Sequence, residues 1–296
     1  MLVTRETLQG LRTGFSALYQ AGLSQVESQY AAIATVVPST TSENTYGWLG
    51  SLPNMREWIG PRQLQALMEH EYTVKNKDFE LTVRVQRNHI KDDNLGIYNP
   101  LFTEMGRATG AHPDQQCFGA LAGGFDQRCY DGQYFFDTDH PVIADDGSII
   151  TVSNTGGGTG PAWFLMDDSR AIKPVIYQDR EAPQFVAVDN VNDPSVFHNK
   201  EFLYGVDGRN NTGYGFWQMA YGSQQPLTPE NYEAARVAIG TMTGDHGRKL
   251  GLRGKLLVVP QQLEGAAIEL LNSERQANGA TNKWKGTAKL MLADWL

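Results

Sequence analysis

Residues 48 to 91 constrain this chain more than any other stretch, because they describe an extended arm that is apolar yet cannot bury itself. Trp48, Leu49, Leu52, Pro53, Met55, Trp58, Ile59 and Pro61 are interrupted by Gly47, Gly50 and Gly60, which excludes a helix through residue 61. Phe79, Leu81, Val83 and Val85 then alternate with Glu80, Thr82, Arg84 and Gln86, the period-two pattern of a half-buried strand. Lys75-Asn76-Lys77-Asp78 separates that run from a shorter strand-like one, Glu71 to Val74, so the pattern predicts a hairpin with a charged tip. A two-stranded hairpin is marginal alone in water, and one accompanied by two tryptophans needs a neighbouring surface. The expected neighbour is another copy of the chain.

The bulk properties exclude several classes. At 296 residues the chain can hold one large or two ordinary domains. A formal net charge of −8 is too acidic for coating nucleic acid by phosphate neutralisation. Cys117 and Cys129 are the only cysteines and make no CxxC, so they predict free thiols rather than a disulfide framework or a thiolate zinc site. The first twenty residues lack a continuous apolar core, and no run of eighteen apolar residues occurs, so the reading is neither secreted by that route nor membrane-spanning.

Along the chain, Leu8, Leu11, Phe15, Leu18 and Tyr19 fall at helical spacing behind Thr4, an N-cap candidate, before the polar linker Pro38 to Ser42. Asp92-Asp93-Asn94 offers cap chemistry for a long helix with the stripe Leu95, Tyr98, Leu101, Phe102, Met105 and Ala108, which Pro113 should kink or restart before Cys117. Residues 123 to 225 read as mostly β, with strands at Gln133 to Phe136, Ser148 to Val152, Ala162 to Met166, Lys173 to Tyr177, Gln184 to Val188 and Phe216 to Tyr221. The glycine-rich Thr155 to Gly160 reads as a flexible link. Thr228 and Pro229 open a helix through Ile239, Lys255 to Val259 is a buried strand, and Leu263 to Leu271 is a second amphipathic helix.

Candidate chemistry is sparse. Asp137, Asp139 and His140 offer the oxygen and imidazole donors that hydrolytic metals use, which makes a metal-assisted hydrolase the alternative reading. Phe135-Phe136 before them and Pro141-Val142 after them equally suit a strand end and turn. Lys75, Asn76 and Lys77 could form an isopeptide bond only beside a buried carboxylate, and the plainer reading is a charged turn. Gly156 to Gly160 lacks the lysine of a phosphate-binding loop, and Cys117 beside Phe118 reads as a structural thiol. No acid–base pair emerges, and the residues assign no catalytic group, no cofactor and no metal.

These parts together resemble a known family. A helical N-terminal arm, an extended hairpin loop, a long spine-like helix, a β-rich region and a helix–strand–helix unit are similar to the parts of the Hong Kong 97 capsid fold of tailed phages. Ile90 to Tyr98, Phe135 to Pro141, Lys173 to Arg180 and Tyr204 to Arg209 resemble the Mu-like phage major head subunit, the gpT family. The resemblance covers nearly the whole chain and implies an α+β fold: an N-terminal arm over 1–45, the extended hairpin loop over 46–92, a peripheral domain with the spine helix over 93–225 and an axial domain over 226–296. It implies a non-enzymatic major capsid protein that self-assembles as hexamers and pentamers into an icosahedral head enclosing double-stranded DNA. Trp48, Trp58, Phe79, Leu81 and Val83 become the expected inter-subunit residues. Expected partners are the chain itself, a scaffolding protein, a portal and a decoration protein, with no membrane. The expected location is the virion, after assembly in the host bacterial cytoplasm. A nanocompartment shell of the same fold is the other structural alternative.

Overall fold

Thr4 caps the first helix as its sequence predicts: its Oγ1 accepts the Thr7 amide at 3.2 Å, and α1 runs Arg5–Leu23. A computed structural model describes residues 2–49, 72–275 and 279–296 of the chain. After α1 come β1 (Ala34–Pro38), β2 (Glu43–Thr45), β3 (Thr73–Lys75), β4 (Lys77–Gln86), α2 (Arg87–Lys91) and α3 (Asn99–Ala122). They are followed by β5 (His140–Ile143), β6 (Ile149–Val152), β7 (Thr155–Gly158), β8 (Trp163–Met166) and β9 (Val175–Val188). The remainder is α4 (Pro194–Asn199), β10 (Glu201–Tyr214), β11 (Ala220–Gln224), α5 (Pro229–Thr241), β12 (Leu256–Val259), α6 (Glu264–Leu271) and β13 (Lys289–Leu292). Among the described residues no helix is long and apolar enough to cross a membrane.

Two sheets organise the molecule. The first has the order β1-β9-β10-β4, with β1 parallel to β9 and the other pairs antiparallel. One of its faces carries Phe185, Ala187, Phe202, Tyr204, Val206, Val83 and Val85, which pack with Phe15 and Tyr19 of α1 and Phe102 and Met105 of α3. Phe15 stacks on Phe102 with ring centres 4.0 Å apart. The two helices touch through glycine: a Cβ at Gly22 would strike the Thr103 carbonyl, and one at Gly106 the Tyr19 carbonyl. The second sheet has the order β13-β12-β8-β11-β7, its strands β8 and β12 fully buried. Helices α5 and α6 pack beside it, and with Phe118 and Leu121 at the end of α3 they close the larger core.

Several expectations are corrected here. The expected hairpin does not form: β3 pairs with β2, while β4 pairs along its length with β10, from Lys77↔Asn210 to Gln86↔Glu201. Only Asn76 stands between β3 and β4, too little chain for the two-residue turn a hairpin needs. Asp92 to Asn94 do not cap α3. They close α2, with the Asp92 amide on the Asn88 carbonyl at 2.9 Å and Asp93 at φ 57, and α3 starts at Asn99 with Pro100 in its first turn. Pro113 does not restart α3, which runs unbroken through it, because the helix is held by packing on both sides, Phe102 and Met105 in one core and Cys117 to Leu121 in the other. That burial outweighs a proline cost of about 3 kcal/mol.

In the β-rich region, Thr155 to Gly158 is a strand rather than a link. Its glycines serve proximity: a Cβ at Gly156 would lie 2.6 Å from the Ser223 Oγ, and Gly158, at φ +102, abuts the Gln224 backbone. Gln133 to Phe136 is irregular apart from one bridge, Arg128↔Tyr134, and Phe216 to Tyr221 splits into a 3₁₀ turn and the start of β11. A boundary at residue 225 does not separate the sheets, since β7, β8 and β11 precede it and share a sheet with β12 and β13.

Candidate assembly surface

The three-stranded ribbon β9-β10-β4 has faces and edges of different chemistry. Leu203↔Val188, Gly205↔Val186 and Asp207↔Gln184 fix the face turned away from the helices, and Val186 and Val188 are 47% and 40% exposed on it. Thr82 and Arg84 stand opposite Gly205 and Leu203 on the same face, so a small apolar centre has a polar surround. β1 covers the outer edge of β9 only as far as Pro38↔Asp179, so among the described residues Arg180 to Val188 pair on the β10 side alone. β4 forms the opposite edge of the sheet. Unpaired backbone donors and acceptors along such edges are templates for another strand, here moderated by Pro183 on one and by Lys77, Asp78, Glu80 and Arg84 on the other. Arg209 ties the strands together where the ribbon bulges, 2.6 Å from Asp78 and 3.7 Å from Glu181; these exposed pairs orient more than they stabilise.

The structure distributes the sequence-predicted interface residues over two places. Phe79, Leu81 and Val83 lie on the helix-facing side of β4: Val83 joins the core around α1 and α3, and Phe79 meets the His112 ring edge-on at 4.4 Å. Leu81, 39% exposed, and Phe79 line a cleft of about 210 Å³ with Ala108, His112, Pro183 and Val206. Burial depresses the His112 pKa, opposed by its bond to Asn210. Trp48 is half-buried against its own chain, its ring 5.9 Å from those of Tyr46 and Phe216. Trp58 lies outside the described residues.

A buried polar clamp fixes the base of the arm. Gln178 of β9 accepts the Tyr46 hydroxyl at 2.7 Å and donates to the Val74 carbonyl and the Asn76 side-chain oxygen, at 3.1 and 2.8 Å. The Asn76 amide donates to Ser39 Oγ and the Thr41 carbonyl. Burial and then the neighbouring Tyr72 push the Tyr46 pKa up to about 12, so its hydroxyl stays a donor. Asn76 is thus committed to hydrogen bonds, while Lys75 and Lys77 point into solvent, and the isopeptide geometry is not formed.

The other candidate chemistry also rearranges. Asp137 accepts the Tyr134 and Thr138 amides at 3.1 and 2.7 Å, the turn role of such a residue. Asp139 is exposed, its carboxyl raised chiefly by hydrogen bonding with Asp137. His140 is buried elsewhere, its Nδ1 2.7 Å from Asp131 Oδ2, its Nε2 3.2 Å from Asn154 Oδ1, its ring stacked on Trp217 at 3.9 Å. The Asp137, Asp139 and His140 triad of the alternative, hydrolase reading is therefore not assembled. Asp131 and Asn154 were missed by sequence reading, since nothing local marks an acid and an amide nine and fourteen residues from a histidine as its partners.

Comparison with known proteins bears on the whole chain. Residues 8–296 match the family described as Mu-like prophage major head subunit gpT. The chain is 46% identical to the Mu-like prophage FluMu major head subunit of Haemophilus influenzae, over 99% of each, and 44% identical to the major capsid protein of Escherichia phage Mu, over the full length of both. It superposes on a chain in the procapsid of bacteriophage JBD30 with a TM-score of 0.86 and 45% identity, covering 99% of this chain and 100% of that one. A chain in the JBD30 capsid decorated with minor capsid protein trimers gives 0.76 at 35% identity, covering 92% and 91%.

Proposed function

Because this chain belongs to the Mu-like prophage major head subunit family and is a major capsid protein of the Hong Kong 97 type, resident in the phage head, we propose how its surfaces build that shell. Copies associate as hexamers and pentamers, and the subunit's free strand edges and its arm are completed by neighbouring copies. The four-stranded sheet with α1 and α3 serves as the peripheral domain. The five-stranded sheet with α5 and α6 serves as the axial domain, its strands drawn from both sides of residue 225. Trp58 anchors the arm on a neighbour, Leu81 and Phe79 add to that contact, and Trp48 braces the arm's base on its own chain. The shell encloses double-stranded DNA without gripping it, in keeping with the net charge of −8. Assembly uses a scaffolding protein and a portal. A decoration partner is supported by the JBD30 relative, whose capsid carries minor capsid protein trimers.

The full-length superposition on a procapsid chain supports this reading most. Electron microscopy of the chain, expressed alone and with its phage's scaffolding protein, tests it. Closed icosahedral particles are expected; open sheets, tubes or monomers under both conditions would contradict it.

A further inference from the structure

The buried corner around His140 gathers an imidazole, a carboxylate and a thiol in one fixed hydrogen-bond network. Asn154, fully buried, donates its Nδ2 to three carbonyls, Phe135 at 2.8 Å, Trp217 at 3.2 Å and Ala220 at 3.3 Å. Those acceptors fix the amide orientation, so Oδ1 is an acceptor and takes the Asp137 amide at 2.9 Å. The His140 Nε2, 3.2 Å from that oxygen, therefore carries its proton, and the Trp217 stack holds the ring in place. With Nε2 turned to Asn154, the Nδ1 faces the Asp131 carboxylate at 2.7 Å, a contact that either a second ring proton or a metal ion between the two atoms satisfies. The Cys129 sulfur lies 3.0 Å from the other Asp131 oxygen, and the donor atoms of all three side chains fall within 4.8 Å of one another. A tight turn sets Cys129 and Asp131 two residues apart, with the Gly132 amide on the Cys129 carbonyl and Gly132 at φ +87.

We propose that Cys129, Asp131 and His140 form a site for one divalent transition-metal ion of the zinc class, bound through Sγ, a carboxylate oxygen and Nδ1. Thiolate, carboxylate and imidazole are a donor set that zinc accepts, and one thiolate with one carboxylate neutralises a divalent charge inside a buried corner. Asn154 is the outer partner that orients a ligating histidine through its second ring nitrogen. A thiol binds such an ion as thiolate, so binding is coupled to loss of the Cys129 proton. Binding breaks the S–H bond, releases that proton to solvent and changes no oxidation state. The site would tie the turn before β5 to the β5–β6 pair and, through Trp217, to the second sheet.

The test uses the full chain purified without chelator, with zinc content by elemental analysis and Co²⁺ as a spectroscopic probe. About one zinc per chain is expected, as are a sulfur-to-cobalt charge-transfer band and tetrahedral d–d bands. Cys129→Ser and the near-isosteric Asp131→Asn should abolish the charge-transfer band and the tight binding, respectively. Asn154→Ser should weaken affinity roughly 10- to 100-fold. Asp139→Asn, which lies outside the cluster, should leave every signal unchanged. A folded wild-type chain that retains no zinc, gives no cobalt bands at saturating Co²⁺ and melts identically with and without EDTA would overturn the proposal and assign the contact to a second ring proton.

Discussion

Single residues set the tolerances of this fold, and the helix crossing shows it most sharply. Gly106 and Gly22 let α1 and α3 approach until neither position has room for a methyl group, whereas Gly10 on the same α1 faces open space. Gly106→Ala should therefore cost about 3 kcal/mol by overpacking, while Gly10→Ala should stabilise by about 0.5 to 1 kcal/mol through helix propensity; denaturant unfolding of unassembled subunits measures both. Asp167 carries a pH prediction. Burial would raise its carboxyl, but the Ser169 hydroxyl, the Arg253 and Ser169 amides and the Arg170 charge together hold it below 3.8. A carboxyl depressed on folding contributes stability that is present above the unfolded value of 3.8 and is lost as pH falls through the folded one. The advantage of wild type over Asp167→Asn should thus be about 2 kcal/mol at neutral pH and shrink below pH 3.8, as read by melting temperature across pH.

Elements were legible where their signal is local and obscure where partners are distant. The caps Thr4 and Thr228–Pro229 gave the starts of α1 and α5 to the residue, because capping chemistry resides in neighbouring positions. The alternation in Phe79 to Gln86 correctly marked a strand with one apolar face, yet its partner, β10, lies more than a hundred residues away, and proximity in sequence suggested β3 instead. β7 was hidden because its glycines answer to Ser223 and Gln224 rather than to chain flexibility. His140 was legible as a candidate, whereas its true neighbours Asp131, Asn154 and Trp217 meet only in the folded chain. Pro113 offers a test of the claim that packing overrides a local breaker. Pro113→Ala restores a helix amide at a position already helical, so α3 should retain its length and the subunit should gain stability, by up to about 3 kcal/mol in chemical denaturation. A loss of stability would mean that the proline ring itself packs productively.

At the scale of the molecule, two sheets with separate helical cover give the subunit its own cores, while the ribbon β9-β10-β4 keeps exposed edges and the exposed Val186 and Val188. A fold so divided should be stable as a subunit and complete only in a shell. The resemblance seen in scattered motifs extends, by identity and by superposition, over essentially the entire chain, which is why the family was readable before its topology was. Half of the apolar alternation in β4, Val83 and Val85, serves the subunit's own helices, because a period-two pattern marks a buried face without saying what buries it. In the proposed shell, neighbouring copies supply most of the arm's stability. An aromatic anchor truncated at an interface costs about 2 to 4 kcal/mol, and a shell repeats that loss at every equivalent contact. The direct measurement is particle yield by sedimentation for Trp58→Ala, beside circular dichroism of its unassembled fraction and with Lys75→Ala as the charged, exposed control. Folded subunits or capsomers with strongly reduced closed particles are expected for Trp58→Ala and a milder effect for Lys75→Ala; a normal particle yield, or an unfolded monomer, would show that the arm is not held by neighbours.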